Sequence, residues 1–376
     1  MAGRTLDTET VEQALIDKGL SQAKLAKSLN VSREAVSKWF LGKSSPRPDK
    51  LLDIALLLEL DIKDISVLVP DADEPVIVFR KKGNAKITEQ FISRAKHMGR
   101  MLDQLTEFLP FDKLVAAKKL KHPNCDFDYL ERAAILVRNK ADVRRDTFIE
   151  FPDLVGLFAG LQAVLVPVLW GHQNQHRNAL HVYLPKSTTT WVFLNLDTYA
   201  FDFLFWMAHE LGHVLSPDLK GEEAEDFADA FAGALLFPAK FCEELDVELE
   251  RKQSNSSRLT TIRSWADKVG ISPITIAKRI NAYRQECDEP GYEFGNSLFA
   301  VSAQLNKQYP TVSEAILGSG EWTAKNYVAT TEECFKTPFF EALRGHAADS
   351  NPDASFYRTI LDIPLSDAKA LRAELC

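Results

Sequence analysis

His209-Glu-Leu-Gly-His213 sets two imidazoles four residues apart, with the Glu210 carboxylate beside the first. On a helix, positions i and i+4 share a face, so His209 and His213 point at one spot. Two imidazoles at that spacing suit a tetrahedral zinc ion, and Glu210 is placed to activate a water there. A hydrolytic zinc site needs one more protein ligand and an open fourth position. The acidic run at residues 222–236 (EEAEDFADAFAGALL) supplies carboxylates for it. Glu225 reads as the third ligand. Asp229, one turn later on the same face, reads as the group that accepts the distal N–H of a liganding histidine and fixes its tautomer.

The element that must carry the histidine pair is residues 199–215 (YAFDFLFWMAHELGHVL), apolar, free of Pro and long enough for a buried helix. Upstream, residues 151–161 read as a helix and residues 163–170 as a strand. A polar loop containing His172 and His176 leads to two further strands, 180–184 and 191–196. The fold class is therefore mainly α with a small β-sheet, α+β, with the sheet leaning on the helix that bears the site.

Length and composition bound the rest. A chain of 376 residues predicts two or three domains, and 45% hydrophobic with 26% charged residues is the balance of an ordinary soluble protein. Residues 1–13 are polar and acidic, so no signal peptide is expected, and no apolar run is long enough for a membrane span. Five scattered cysteines without a CxxC pair read as reduced thiols, and the expected compartment is the cytoplasm. The net charge of −8 argues against a whole surface that coats nucleic acid, while leaving room for a local basic face.

Such a face lies near the N-terminus. Between residues 18 and 50 eight cations (Lys18, Lys24, Lys27, Arg33, Lys38, Lys43, Arg47, Lys50) stand against Glu34 and Asp49. Helix signals run through the same stretch. Thr8 or Thr10 starts a first helix, Ser21 caps a second with Leu25 and Ala26 inward, and Ser32 caps a third with Val36 and Trp39 inward. Gly42 closes that helix and Pro46 and Pro48 lead into a leucine-rich fourth. This pattern resembles the Xre/Cro-like helix-turn-helix family over about residues 6–70 and implies a five-helix bundle. In that geometry the third helix enters the major groove of double-stranded DNA, so Ser32, Arg33, Ser37 and Lys38 are the expected base readers. Gln22 would touch phosphate or an edge base, and Lys43 the backbone. Phe40 departs from the family, which usually has Glu there, and is expected to pack against the next domain. A homodimer follows from the need for two half-sites.

The metal motif carries a second resemblance. Residues of about 128–285 resemble the ImmA/IrrE metallopeptidases in the strand–loop–strand, the apolar run with HELGH, the spacing of Glu225, Ala228 and Asp229, Phe231-Ala232, and the LLxP ending at Pro238. Carried over by position, the resemblance implies zinc on His209, His213 and Glu225, with Glu210 catalytic. Glu222 and Glu223 remain rival ligands, near the helix start and out of register with Ala228 and Phe231. It also implies a regulatory endopeptidase that cleaves a repressor or antitoxin-like protein, in stress response, mobile elements or toxin–antitoxin loci. The alternative is a regulator or antitoxin whose zincin-like domain senses a signal or binds a partner without cleaving anything.

The expected division is 1–70 for the DNA reader, 71–127 for a linker and helical segment, 128–287 for the peptidase-like domain and 288–376 for a C-terminal domain of unknown fold. Residues 70–86 read as a linker with room for one short strand, and 86–109 as an amphipathic helix. Residues 259–283 read as a second helix-turn-helix-like unit, with Lys278, Arg279 and Arg284 decorating its last helix. His181, on a strand beside the metal helix, is a candidate for oxyanion or substrate contact, since such a strand can pair with an extended peptide. The C-terminal stretch is rich in aromatics and therefore folds, but no site is legible in it.

Overall fold

The computed structural model describes residues 4–41, 44–68, 74–78, 89–112, 114, 117–144, 146–171, 179–320 and 322–376. The chain divides into two compact units, residues 1–74 and 75–376.

The first unit contains α1 (Thr8–Asp17), α2 (Gln22–Ser28), α3 (Arg33–Phe40), α4 (Pro48–Leu58) and α5 (Ile62–Ile65), the five helices the pattern predicts. Local chemistry sets their starts. The Asp7 side chain, one residue ahead of the expected threonines, accepts from the Thr10 N–H at 3.1 Å, while Ser21 and Ser32 accept from Lys24 and Ala35. Each cap satisfies an N–H that the helix cannot bond internally. Leu25, Ala26, Val36, Trp39, Leu51, Ile54 and Leu58 form the core. Phe40 is half-buried against this same core, so its aromatic ring serves its own bundle. A short antiparallel ribbon of β1 (Arg4–Leu6) and β2 (Ser66–Leu68), absent from the sequence reading, ties the two ends of the bundle together.

The second unit is built on a mixed sheet of β3 (Val76–Val78), β4 (Ala163–Val168), β5 (Ala179–Leu184) and β6 (Thr189–Asn195), in the order β3-β5-β6-β4. β5 pairs antiparallel with both β3 and β6, whereas β4 runs parallel to β6. Helices α6 (Glu89–Leu102), α7 (Phe127–Lys140) and α8 (Phe151–Gly160) precede β4, and a 3₁₀ turn, Asp103–Phe108, replaces the end of the helix expected to reach residue 109. α9 (Phe203–Leu215) and α10 (Gly221–Leu236) follow β6, succeeded by α11 (Ala239–Glu250), α12 (Asn255–Val269) and α13 (Pro273–Glu286). β4 and β6 are buried along their whole length, which is why they read as unbroken apolar runs.

Residues 288–376, expected as a domain of their own, share one apolar core with the sheet and the site helices. They form α14 (Ser297–Asn306), α15 (Val312–Leu317), α16 (Ala324–Phe335), α17 (Phe339–Ser350), α18 (Ala354–Leu361) and α19 (Leu365–Leu375). Their contacts with the sheet are polar as well as apolar. The Tyr327 hydroxyl donates to the Pro167 carbonyl and the Thr337 hydroxyl to the Leu165 carbonyl, both on β4. The Trp170 indole donates to Leu361 O at 2.9 Å, and Ser313 to Asp197 at 2.7 Å. Side chains thus occupy carbonyls that an edge strand would otherwise present.

The last positional device is Gly212. A Cβ built there would lie 3.0 Å from the Ala228 Cα and 3.4 Å from the Phe231 ring, so α9 and α10 touch backbone to backbone. Gly212→Val is expected to cost about 1–3 kcal/mol through overpacking. A lowered melting temperature in calorimetry is the expected result, and an unchanged one would show that the two helices can separate freely.

Candidate metal centre and DNA-reading face

α9 is buried on every side near its C-terminal end, and His209, Glu210 and His213 are 0, 4 and 3% exposed. α10 lies against it and brings Glu225 opposite both rings. His209 Nε2 lies 3.6 Å from one Glu225 oxygen and His213 Nε2 lies 3.4 Å from the other. The two Nε2 atoms are 3.0 Å apart. Asp229, one turn along α10, sits 2.8 Å from His209 Nδ1. A carboxylate there accepts, so Nδ1 carries the proton and the Nε2 lone pair faces His213 and Glu225.

This donor set fits a metal ion on geometry and charge. Zinc ligands lie at about 2.0–2.1 Å, so the edges of a tetrahedron around the ion are roughly 3.3 Å. The two Nε2 atoms are 3.0 Å apart and each lies 3.4 to 3.6 Å from a different Glu225 oxygen, distances close to that value. Among the described residues His209, His213 and Glu225 are the one such cluster. Glu222 and Glu223, the rival ligands, are exposed and lie outside it. Burial works to lower the pKa of His213, but the hydrogen bond to Glu225 and the charges of Glu210, Glu225 and Asp229 outweigh it, and the net shift is upward. A pocket that draws a proton onto an imidazole in this way equally favours a cation.

His181 is buried on β5, its ring stacked toward His213 with centroids 6.4 Å apart. Burial, and secondarily the nearby charge of His213, pushes its pKa down to about 3. Neither ring nitrogen has a hydrogen-bond partner among the described residues. The strand that carries it is not an open edge, because β3 pairs along one side with Val78 opposite His181, and β6 along the other. That corrects the expectation of a strand free to take up a peptide. The sequence allows one short strand within 70–86, but neither its place nor its partner is legible, since pairing depends on long-range register. His172 and His176 lie outside the described residues.

Behind Asp229 opens a cavity of about 520 Å³ between α7, α10 and α13, lined by Phe127, Leu130, Phe205, Asp226, Asp229 and Arg279 among others. Sequence reasoning missed it, and it places Arg279 on the surface with Lys278 and Arg284. The structure corrects two of these three. Arg279 is 5% exposed, paired with Glu131 and bonded to Phe237 O, and Gly233 leaves the space its stem fills. Arg284 is 6% exposed and bonds to Asp246 at 2.7 Å. With Ile276, Ala277 and Ile280 also buried, much of α13 packs into the core, and of the three cations only Lys278 is exposed, on the face that lines the cavity.

In the first unit the expected readers are exposed. Ser32, Arg33, Ser37 and Lys38 lie on the outer side of α3, opposite buried Val36 and Trp39, and Gln22 is exposed at the start of α2. Lys43 lies outside the described residues.

These features define a helix-turn-helix bundle joined in one chain to an α+β unit that carries two histidines and a glutamate at metal-ligand spacing. A helix-turn-helix family model matches residues 11–65, and a model of the IrrE N-terminal-like domain matches residues 170–281. The chain thus joins an Xre-like helix-turn-helix to an ImmA/IrrE-like, peptidase-family domain. No curated protein and no solved structure matches it. Among the described residues no helix is long and apolar enough to cross a membrane.

Asp229 offers the first test of the centre. Asp229→Ala is expected to weaken metal binding about 10–100-fold, because His209 loses the acceptor that fixes its tautomer. Chelator competition checks this, and unchanged affinity would make Asp229 a bystander.

Proposed function

We propose that this protein is a DNA-binding regulator whose second unit is a zinc-dependent endopeptidase acting on a repressor or antitoxin-like protein. The observation that carries the reading is the meeting of His209, His213 and Glu225 at ligand spacing, with Glu210 adjacent and Asp229 behind. His209 Nε2, His213 Nε2 and one Glu225 oxygen would hold the ion. Zinc, when bound, supplies Lewis acidity that polarises a peptide carbonyl and a water. Glu210 takes the proton of the attacking water on its carboxylate and later delivers it to the leaving amine nitrogen. Asp229 holds the His209 ring in place throughout.

Zinc content and cleavage separate these roles. About one zinc per chain is expected by elemental analysis, lost in His213→Ala and Glu225→Ala. Glu210→Gln is expected to keep the zinc while cleavage falls below detection. Zinc retained in Glu225→Ala would move the third ligand elsewhere.

The helix-turn-helix unit would bind an operator as a homodimer in the cytoplasm, with α3 in the major groove and Ser32, Arg33, Ser37 and Lys38 toward the bases. Gln22 would meet phosphate or an edge base, and Lys43 the backbone. Arg33→Ala and Lys38→Ala are each expected to lower operator affinity. Titrations across salt sort the contacts: a phosphate contact reduces the slope of log K against log salt by about 1, and a base contact relaxes sequence preference by about 1–3 kcal/mol. Full affinity in both variants would remove α3 from the interface.

A second reading is favoured by the pairing of β5 on both edges, which among the described residues leaves no open edge of β5 for an extended substrate. On that reading the unit senses a signal or holds a partner without hydrolysis, and a cellular function intact in Glu210→Gln would support it.

A further inference from the structure

A peptide bound for hydrolysis commonly lies extended and antiparallel along the sheet strand beside the metal helix, because backbone hydrogen bonds then hold it whatever its side chains. In this fold that strand is β5. It packs on α9, and it carries His181, whose ring is stacked toward His213. Its inner edge is taken by β6, so only the outer edge could receive a substrate. That outer edge is filled by the chain itself. Val76, Ile77 and Val78 run antiparallel to Tyr183, Val182 and His181, the orientation a substrate would adopt. The segment stands directly after the helix-turn-helix unit in the chain, at the start of the second unit.

We infer that β3 is a resident occupant of the substrate edge, so that the protein is a latent peptidase until this strand leaves. The inference rests on the peptidase reading above and adds its regulation and the form of its substrate: an extended, β-branched segment that replaces Val76–Val78 on β5. Three features suit β3 to release. Among the described residues it spans three residue pairs, Val76 is 42% exposed, and Ile77 is only partly buried. Its anchor is Pro75, which packs on α6 where Gly99 leaves room: a Cβ there would meet Pro75 at 2.6 Å and Val182 at 3.2 Å. The strand is therefore held by the packing of Pro75 and Ile77 and by its backbone bonds to β5.

In an antiparallel pair successive N–H groups point alternately toward and away from the partner strand. Of Val76→Pro and Ile77→Pro, one removes a bond to β5 and the other removes an outward N–H, so each controls for the other. The probe is a fluorescein-labelled peptide with the sequence of residues 74–80, EPVIVFR, titrated by anisotropy onto full-length zinc-loaded protein in the Glu210→Gln background. Cleavage of a quenched peptide of the same sequence is followed without that substitution. One proline variant is expected to bind the probe at least ten times more tightly than the parent and to cleave faster, the other to match the parent. Tighter binding without cleavage would leave the strand exchange standing and remove the peptidase reading. Cleavage by the parent as fast as by both variants would keep the peptidase and overturn the latency. Should the variants not fold, hydrogen exchange on the parent decides: the β5 amides at 181–183 are expected to be protected, and exchange at the rate of an exposed loop would overturn the proposal.

Discussion

The whole second unit depends on forcing a carboxylate and two imidazoles together where the imidazoles are almost fully buried. His209 and His213 are almost fully buried, with the Glu225 oxygens 3.4 to 3.6 Å from their Nε2 atoms. Polar groups so placed are destabilising unless each has a partner, and a half-satisfied cluster is worse than an apolar core. Two features resolve the conflict. Asp229 takes the proton-bearing side of the His209 ring, and the remaining lone pairs converge at the spacing a tetrahedral cation needs. The requirement then passes outward to the backbone. α9 and α10 must be in contact at Gly212 and Ala228, or Glu225 would stand too far from both rings.

Everything else in the unit keeps those two helices in place. α9 is almost wholly buried and so needs cover on all sides, from α8 and α10 as well as from β5 and β6. The sheet needs cover in turn, and the C-terminal helices provide it by core packing and by hydroxyls placed on β4 carbonyls. Buried arginines stiffen the periphery. Arg138 reaches the carbonyls of Leu235, Arg144 and Thr147, and so binds the end of α10 to the loop after α7. Arg279 does the same for α13 through Glu131 and Phe237 O.

What could be read from the residues follows a physical division. Helix starts are local, so Ser21 and Ser32 marked their helices correctly. The i, i+4 spacing of the two histidines on one helix is local as well, and it brought the metal cluster into view. Glu225 and Asp229 were legible because a second helix repeats the same spacing. Strand partnership is not local. Nothing near residues 76–78 announces pairing with β5, 103 residues further on for Val78 and His181, and nothing in 288–376 announces Tyr327 and Thr337 as caps for β4. Charge misled in the same way: Arg279 and Arg284 look like surface cations until Glu131 and Asp246, distant in the chain, come to meet them.

The hydroxyl of Tyr327 meets a carbonyl 160 residues earlier in the chain, and this separation governs the order in which the protein can be made. During synthesis the helix-turn-helix bundle contains all its own contacts within the first 74 residues and can fold while the ribosome is still translating the sheet. β4 emerges long before α16 and must wait, an apolar strand with carbonyls uncovered, for the far end of the chain. Each newly made molecule therefore passes through an interval in which its first unit can be folded while its second is not yet assembled. That interval is also when its sheet is most open to chaperones or to a strand from another molecule.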